Sequence, residues 1–237
     1  MRDIFGKALI DYQNDNYSED IITWTSISEK DMLPLPYLFR DYSEMPQIEK
    51  KALQLCKGNV LDVGCGAGSH SLYLQKKGFN VKAIDNSKGA IKVCKQRGIT
   101  NTEYKALLEE KEAFDTILLL MNGTGIFQKL ENITTYLNHL KSLLKPNGQI
   151  LIDSSDIQYM YGDEDGGMWL DLNNHYYGEL DYYLSYKGEE GLPMKWLYLD
   201  FDTLKTACQT VGLNCEKVMD GEHFDYLAKL SLNKTKS

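Results

Sequence analysis

Three glycines at alternate positions follow a short apolar run and are the residues best suited to hold a ligand in this chain. The run at residues 60–63 contains two valines, which is typical of a buried strand, and Gly64, Gly66 and Gly68 come directly after it. Glycine lacks a Cβ atom, so its backbone can adopt unusual φ/ψ values and a flat ligand can approach it closely. Ser69 then begins a segment with helical spacing, whose first N–H groups would face that ligand. The pattern predicts a strand, a ligand-binding turn and a helix.

An acidic residue at the end of the next apolar run could bind the ribose of a nucleotide-like ligand. Residues 80–85 are predicted to form a strand, and Asp85 ends it, 21 positions after Gly64. Nucleotide-binding α/β proteins place a carboxylate at this separation, where it accepts hydrogen bonds from ribose hydroxyls. The alternative is a capping Asp at a strand end. The dinucleotide fingerprint G-x-G-x-x-G is not matched, because Ser69 stands where its third glycine would be.

The rest of the chain predicts alternating helices and strands, which is typical of a doubly wound parallel sheet. We predict helices from near Ser43 or Pro46 to just before Gly58, and over 69–77, 87–97, 133–144 and 202–211. We predict further strands over 101–105, 114–121, 149–153, 213–219 and 224–232, with a turn at 145–148. Ligands of such sheets bind beyond the carboxyl ends of the strands, so Asn122 is expected to face the ligand or to form a plain turn with Gly123.

The stretch from residue 60 to 68, with Asp62 inside it, resembles the first motif of the class I S-adenosylmethionine-dependent methyltransferases. Four later stretches fit the same family in the same order, among them Leu-Leu-Lys-Pro-Asn-Gly at 143–148. The resemblance covers residues 58–153 strongly and 200–232 weakly. It implies an α/β fold with a doubly wound, seven-stranded, mostly parallel sheet, an antiparallel last strand and helices on both faces. A lid from the N-terminus and an insert before the last helix would be added to this core.

The resemblance also implies the cofactor, S-adenosyl-L-methionine, and its product, S-adenosyl-L-homocysteine. We expect no metal site. In the family, residues just after the third core strand flank the adenine, which here indicates the stretch after Lys105. The cofactor-binding residues that follow are Asp62, Gly64, Cys65, Gly66, Ala67, Gly68, Asp85, Asn86, Ser87, Ala106, Leu107, Met121, Asn122 and Gly123.

We expect four parts in the chain: a helical and extended lid segment at 1–46, the cofactor-binding core at 47–153, an insert at 154–200, and a helix and hairpin that complete the sheet at 201–237. The insert is rich in tyrosine, tryptophan and acidic residues and predicts strands at 177–186 and 194–199. With the N-terminal segment it is expected to cover the donor pocket. Its aromatic residues could pack across strands or form a homodimer interface. They could instead form an acidic, aromatic cage for a cationic or amine-bearing substrate.

Methyl transfer from a sulfonium asks little chemistry of the protein, because the positive charge already activates the leaving group. The protein mainly aligns donor and acceptor and excludes water, and a base is needed only if the acceptor arrives protonated. The candidates for such a base are His70, in the first turn after the glycines, and His175, in the insert. Arg40 could bind a carboxylate of donor or acceptor, or form a surface ion pair with Asp41 or Glu44.

Composition disfavours several other function classes. The 237 residues carry a formal net charge of −8 and contain no basic run, which disfavours a nucleic-acid partner. No stretch approaches the roughly 20 apolar residues of a membrane span, and the first residues lack the apolar run of a secretory signal. The five cysteines include no Cys-x-x-Cys pair, so neither a zinc site nor a disulfide framework is predicted. We therefore expect a cytoplasmic enzyme with a small-molecule methyl acceptor, no nucleic acid and no membrane.

Three other functions stay open at this point. The first is a methyltransferase that acts on protein or nucleic acid. Its nucleic-acid form is disfavoured, because Asn122-Gly123 departs from the Asn/Asp-Pro-Pro-aromatic motif of many nucleic-acid amino-methyltransferases. A nicotinamide oxidoreductase is disfavoured by Ser69. A non-catalytic binding module is compatible with the whole sequence, since fold does not fix function and no catalytic residue is identifiable.

Overall fold

The computed structural model describes residues 3–162 and 176–233. The α-helices of this part are α1 (Ile4–Gln13), α2 (Leu35–Leu38), α3 (Gln47–Leu55), α4 (Ser69–Lys76), α5 (Lys88–Gln96), α6 (Ile133–Ser142) and α7 (Phe201–Thr210). The strands are β1 (Ile21–Thr25), β2 (Ser28–Leu33), β3 (Asn59–Val63), β4 (Asn80–Asp85), β5 (Thr102–Tyr104), β6 (Phe114–Leu119), β7 (Leu144–Ser155), β8 (Glu179–Tyr186), β9 (Glu189–Glu190), β10 (Met194–Leu197), β11 (Leu213–Asp220) and β12 (Asp225–Leu232).

Seven strands form the main sheet, in the order β11-β12-β7-β6-β3-β4-β5. The pairs from β7 to β5 are parallel, and β12 runs antiparallel to both of its neighbours, β7 and β11. The predicted seven-stranded α/β sheet with an antiparallel last strand is confirmed. Because β3, β4, β6 and β7 are parallel, their C-terminal ends lie along one side of the sheet, which we call the carboxyl edge.

The apolar pattern of the central strands explains why the sheet is covered on both faces. Leu61 of β3 and Ile117 of β6 belong to an apolar cluster with α6 and α7, whereas Val60 and Leu118 belong to a second cluster with α3. Successive side chains of a strand point to opposite faces, so a continuous apolar run buries both. The core therefore holds the carboxyl edge rigidly in place.

The turn predicted at residues 145–148 interrupts β7 near its start. Phe114 pairs with Leu144 and Thr116 pairs with Gln149, so four residues of β7 stand opposite a single residue of β6. A Cβ atom on Gly148 would lie 2.9 Å from the Lys145 carbonyl oxygen, which explains the glycine there. The predicted turn is therefore present, and the difference from the prediction is that Leu144 already pairs with β6 before it.

A second, smaller sheet joins two parts of the chain that lie far apart in sequence. Its order is β10-β8-β1-β2, with β9 paired to β8, and we call it the small sheet. Trp24 of β1 pairs with Tyr183 of β8, and Leu180 of β8 pairs with Trp196 of β10. The two strands predicted in the insert are confirmed, whereas the β1–β2 hairpin was not predicted. The N-terminal segment and the insert are thus parts of one sheet.

Helix α1 is fixed to the main sheet next to the end of β4. It crosses α5 at two glycines, where a Cβ atom on Gly89 would lie only 2.4 Å from the Cα atom of Gly6. The Asp3 carboxylate accepts hydrogen bonds from Gly6 N, Gly89 N and Ser87 Oγ, each at 2.9 Å. One side chain therefore caps α1 and also ties it to the residues that follow Asp85.

Over residues 3–162 and 176–233, no helix combines the length and the apolar character that a membrane crossing requires.

Candidate functional site

The glycine turn between β3 and α4 has the backbone that its sequence predicts. Gly64, Gly66 and Gly68 have φ values of 71°, 53° and 83°, all in the left-handed region that side chains with a Cβ atom disfavour. The N–H groups of Gly64 and Cys65 both donate to the Ile84 carbonyl oxygen, at 2.9 and 3.1 Å. These bonds fix the turn against the end of β4.

The three glycines face different surroundings. A Cβ atom on Gly68 would lie 2.2 Å from Ile99 Cδ1 and 2.9 Å from Cys94 Sγ, so this glycine is required by packing. A Cβ atom on Gly66 would meet nothing nearer than Phe5 Cζ at 3.9 Å. Packing therefore does not explain Gly66, whose open side is the surface that a ligand would approach.

Asp85 lies beside Gly66 at the end of β4. One carboxylate oxygen accepts from Gly66 N at 2.9 Å and the other from Ser87 N at 2.8 Å. Burial raises the pKa of Asp85 to about 6, although the two backbone hydrogen bonds oppose the rise. A carboxylate oxygen can accept more than one hydrogen bond, so both oxygens keep acceptor capacity for ligand hydroxyls.

The other residues predicted near ribose and adenine gather around Asp85. Lys105 N donates to the Asp85 carbonyl oxygen at 3.0 Å, which places the loop after β5 beside β4. In this loop Ala106 is exposed and Leu107 is buried in the core. Asn86 is exposed, whereas the Ser87 hydroxyl is buried and caps α5. An adenine ring in this position would therefore contact backbone and the exposed side of the loop.

Five buried polar side chains meet next to the glycine turn, and we call them the buried charge cluster: Arg40, Glu49, Asp62, His70 and Ser71. Ser71 Oγ donates to Asp62 Oδ2 at 2.6 Å, and His70 Nε2 lies 2.8 Å from Glu49 Oε2. Arg40 Nη2 donates to the other oxygen of Glu49. The surface ion pair expected for Arg40 with Asp41 or Glu44 was wrong, since its partner is a buried carboxylate on α3.

Charges inside this cluster oppose the effect of burial on two of its pKa values. Burial alone would lower the pKa of His70, but the hydrogen bond to Glu49 and the charges of Asp62 and Glu49 raise it. Burial would raise the pKa of Glu49, yet its contacts with His70 and Arg40 lower it overall. His70 therefore keeps its proton to higher pH than a free imidazole, and its Nε2 is bound to Glu49 inside the cluster.

The end of β6 carries unusual backbone at the other side of the site. Met121 and Asn122 have φ values of 67° and 59°, so two consecutive residues with side chains occupy the left-handed region. Such conformations cost on the order of 1–3 kcal/mol each and persist only where surrounding contacts enforce them. Asp153 of β7 supplies those contacts, because its oxygens accept from Met121 N at 3.0 Å and Gly123 N at 2.9 Å. Ser155 Oγ donates to Asn122 Oδ1 at 2.9 Å.

The small sheet reaches the same edge through β10. Thr124 Oγ1 donates to the Leu197 carbonyl oxygen at 2.9 Å, and Ser154 Oγ accepts from Leu199 N at 2.9 Å. Trp196 presses on the turn after β6 so closely that a Cβ atom on Gly125 would lie 2.0 Å from its ring. The insert is thus docked on the carboxyl edge beside Asn122.

Aromatic side chains collect between the small sheet and the ends of β7 and β12. Tyr182 and Trp196 lie 5.3 Å apart between ring centroids, and Tyr159 stacks on Phe224 at 4.6 Å. Tyr159 and Phe224 are 52% and 65% exposed, so this pair leaves apolar surface open to a ligand.

Sequence reasoning missed two of these arrangements. Tertiary packing brings Arg40 to Glu49 and Met121 to Asp153, and no local sequence motif predicts either pair. The acidic residue at the end of β7 could have been noticed by the same strand-end argument that selected Asp85. His175 lies outside the described residues, so its predicted role stays a prediction.

The residues of this edge fit the predicted cofactor. The open side of Gly66 admits a flat ligand, the buried Asp85 carboxylate can accept ribose hydroxyls, and the first turn of α4 starts at the glycine turn.

Comparisons with known proteins agree with this geometry. The family described as "Methyltransferase domain" matches residues 60–148. An S-adenosylmethionine-dependent methyltransferase from Bacteroides fragilis, solved in complex with S-adenosyl-L-homocysteine, is 40% identical, with a TM-score of 0.90 over 97% of this chain and 94% of that one. A methyltransferase structure from Clostridium acetobutylicum, 15% identical with a TM-score of 0.59 over 84% of this chain and 95% of that one, shares the fold.

Among curated proteins, the ubiquinone biosynthesis O-methyltransferase of Rickettsia conorii is 30% identical over 115 residues. That alignment covers 46% of this chain and only 38% of the relative, so the match spans well under half of it. The similarity to the Bacteroides fragilis enzyme, by contrast, extends over nearly the full length of both chains. The chain therefore belongs to the S-adenosylmethionine-dependent methyltransferases of the class I fold, and S-adenosylmethionine is its methyl donor.

Proposed function

We propose that this protein transfers the donor methyl group to a small-molecule acceptor bound between the small sheet and the carboxyl edge. The observation that carries the proposal is that the N-terminal segment and the insert form one sheet, held at the donor side by α1 on α5 and at the other side by β10 on the turn after β6. The carboxyl edge also bears a cavity of about 460 Å³, lined by residues just after β7, at the start of α7 and in β11 and β12. Such a space suits a small molecule better than a protein or nucleic-acid surface.

We propose that the glycine turn, Asp85 and the loop after β5 hold the donor. Asp85 would accept the ribose hydroxyls, the open side of Gly66 would contact the ligand, and Met121 to Gly123 would line the reacting end. Bound there, the donor supplies a methyl group on a sulfonium, which needs no acid to leave. The protein's tasks are then alignment of the acceptor and exclusion of water.

An amine is the acceptor class that we favour. Exposed aromatic rings at Tyr159 and Phe224 adjoin a cavity of about 460 Å³ lined by five aspartates and Lys217. Lys217 forms an ion pair with Asp220 at 2.9 Å. The other four aspartates that line the cavity have no further lysine or arginine beside them in its lining. Aromatic faces and carboxylates together attract cationic groups.

A phenolic hydroxyl is the second candidate, supported by the O-methyltransferase name of the Rickettsia conorii relative. A phenol must lose its proton to attack the methyl group, and so must an amine that binds as its cation, because an ammonium nitrogen has no lone pair. His70 is buried with Nε2 bound to Glu49, which argues against that residue as the base for either class.

An acceptor screen with isotope-labelled S-adenosylmethionine tests both classes. We expect methyl transfer to small amines, with cationic compounds competing and anionic analogues binding poorly. Preferred transfer to phenols would favour the second candidate, and equal binding of anionic analogues would contradict the acidic, aromatic site. Labelled protein or nucleic acid with no labelled small molecule would overturn the proposal.

A further inference from the structure

The backbone at the end of β6 needs an external restraint to keep its conformation. Met121 and Asn122 are consecutive residues with left-handed φ values, and neither is glycine. Met121 is also among the more exposed large apolar side chains, so its own packing cannot enforce that conformation.

Asp153 provides this restraint from the neighbouring strand. Its two oxygens accept from the N–H groups on either side of Asn122, at 3.0 Å from Met121 N and 2.9 Å from Gly123 N. The carboxylate is 6% exposed and therefore well ordered. Because both bonds come from one carboxylate, they fix the direction in which Asn122 leaves the strand.

The Asn122 side chain is oriented by a separate contact. Ser155 Oγ donates to Asn122 Oδ1 at 2.9 Å, and Ser155 lies two residues after Asp153 on the same strand. With the oxygen of the carboxamide bound in this way, its nitrogen is directed elsewhere and can donate to a ligand. Asp153 and Ser155 thus hold the backbone and the side chain of the same residue.

We propose that Asp153 is a positioning residue for methyl transfer, which holds Asn122 at the carboxyl edge so that its carboxamide aligns the acceptor with the donor. This inference rests on the proposed transfer at that edge. It assigns to Asp153 no contact with the donor or the acceptor.

Ionisation of Asp153 gives the proposal a measurable signature. Burial raises the pKa of this carboxyl to about 7, although the bonds from Gly123 and Met121 oppose the rise. The ionisable groups that face it are Glu49 of α3, His70 of α4, Tyr37 of α2 and Tyr226 of β12. The ionised form accepts both N–H groups, so the restraint should weaken as the pH falls below about 7.

The test compares Asp153→Asn with the wild type. An amide cannot accept both N–H groups through its two ends, so we expect kcat to fall about 100-fold, in line with a small misplacement of reacting groups. The affinity for S-adenosyl-L-homocysteine should change by less than about tenfold, because only the Met121–Gly123 end of the proposed donor site is altered, while the glycine turn and Asp85 are untouched. The wild-type kcat should rise with pH through about 7, and this limb should be missing in the variant.

Asp115→Asn is the matched control. Asp115 lies near the N-terminal end of β6, at the opposite end of the parallel strands from the carboxyl edge. The Asp115 carboxylate also accepts a backbone N–H group, from Asn59 at 2.8 Å, and it pairs with Lys145 at 2.9 Å. This variant should lose stability while keeping kcat and the pH limb. If Asp153→Asn behaves like this control, Asp153 has only a structural role and the proposal is wrong.

A second variant tests how Asp153 acts. Glycine tolerates left-handed backbone, so Met121→Gly in the Asp153→Asn background should recover part of kcat. Met121→Gly alone is the reference, because it also removes a side chain from the reacting end of the donor site. If Asp153→Asn lowers kcat as much in the Met121→Gly background as in the wild type, the effect does not act through the backbone at Met121.

Hydrogen exchange of the wild type needs neither variants nor an acceptor. Protection of the Met121 and Gly123 amides, corrected for intrinsic rate, should increase as the pH rises through 7. Protection that does not change would overturn the inference even if methyl transfer is found. Conversely, failure to find any acceptor while this protection follows the pH would count against the proposed function and leave the restraint by Asp153 in place.

Discussion

At the residue scale, Asp85 connects donor binding to pH. Burial raises its pKa to about 6 in the protein without a ligand. Ribose hydroxyls would donate to the ionised form, so binding should lower this pKa and release protons near pH 6. Affinity for S-adenosyl-L-homocysteine should then be constant above about pH 6 and fall by up to about tenfold per pH unit below it. Titration calorimetry in buffers of different ionisation enthalpy measures both the affinity and the released protons.

Asp85→Asn is the variant that identifies the group. It should weaken binding by roughly 1–3 kcal/mol at pH 7.5, the range for a lost hydrogen bond to a charged group, and abolish the dependence near pH 6. Unchanged affinity in this variant would show that Asp85 does not contact the ribose.

The two glycines 66 and 68 allow ligand approach to be separated from packing. Gly68→Ala places a Cβ atom 2.2 Å from Ile99 Cδ1, whereas the Cβ atom of Gly66→Ala would meet Phe5 Cζ only at 3.9 Å, so that its φ value is what opposes it. We expect Gly66→Ala to lose roughly 1–2 kcal/mol of stability from its left-handed backbone, with a larger loss in donor affinity. Gly68→Ala should lose more stability. Thermal melts and calorimetry on both variants test this, and normal binding by Gly66→Ala would contradict the open-surface interpretation.

At the element scale, Glu49 joins α3 to α4 and to the segment after α2. It pairs with Arg40 and His70, and all three side chains are at most 10% exposed. Removing one partner of a buried ion pair leaves the others uncompensated and costs about 3–5 kcal/mol. We expect Glu49→Gln to lose stability of this order in urea unfolding.

The same variant should lower the pKa of His70. In the wild type the contact with Glu49 raises this pKa, so the stabilisation is present at low pH and is lost as the pH rises through the raised value. Without the Glu49 hydrogen bond and charge, the charge of Asp62 alone opposes burial, so the pKa should be lower than in the wild type. An NMR titration of the His70 ring distinguishes the two outcomes, and an unchanged pKa would rule out Glu49 as the main partner.

The parts of this fold that were predictable from sequence are those with local signals. The strand, glycine turn and helix at 59–76 follow from apolar runs and glycines, and Asp85 follows from its distance along the chain. The β1–β2 hairpin has no such signal, because Ser28–Leu33 is mostly polar and exposed and shows no alternation. Its place in the small sheet depends on pairing with β8, which is encoded far away.

The site shows the same division. Candidates chosen by motif lie around the glycine turn, whereas Asp153 and Glu49 act through contacts with residues 30 or 21 positions distant. The prediction for Arg40 failed for this reason, since its nearest acids in sequence are not its partners in the fold. Long-range pairs depend on how elements pack, and a single sequence carries no direct record of that packing.

At the scale of the whole molecule, two buried carboxyls make stability depend on pH. The pKa values of Asp85 and Asp153 are raised to about 6 and about 7, so the folded protein binds these protons more tightly than the unfolded chain does. The free energy of unfolding should therefore fall as the pH rises from about 4 to about 7, by on the order of 7 kcal/mol from these two groups. Urea unfolding at several pH values measures the slope. The double variant with Asn at both positions should have a flatter profile, and a wild-type stability that rises over this range would contradict the assignment.

Association through the insert remains a prediction that the outer face of the small sheet makes specific. Trp24 stacks on Tyr183 with centroids 5.2 Å apart, and Met32 on the adjacent strand is 58% exposed. If two copies meet on this face, Tyr183→Asp should convert a dimer to a monomer in light scattering. A wild-type monomer at high protein concentration would exclude the predicted homodimer.

The pairing of β1 with β8 also determines when the molecule can finish folding. Trp24 cannot pair with Tyr183 until that residue, 159 positions later, has been synthesised. At roughly 5–20 residues per second this takes about 8–30 seconds. Contacts between such distant segments form slowly, so the small sheet should assemble last. During the wait the β1–β2 hairpin has unpaired backbone groups that could pair with another nascent chain. The charged side chains in Ser28–Leu33 are the reason that this strand was not predicted from the sequence. The same side chains would protect it from aggregation.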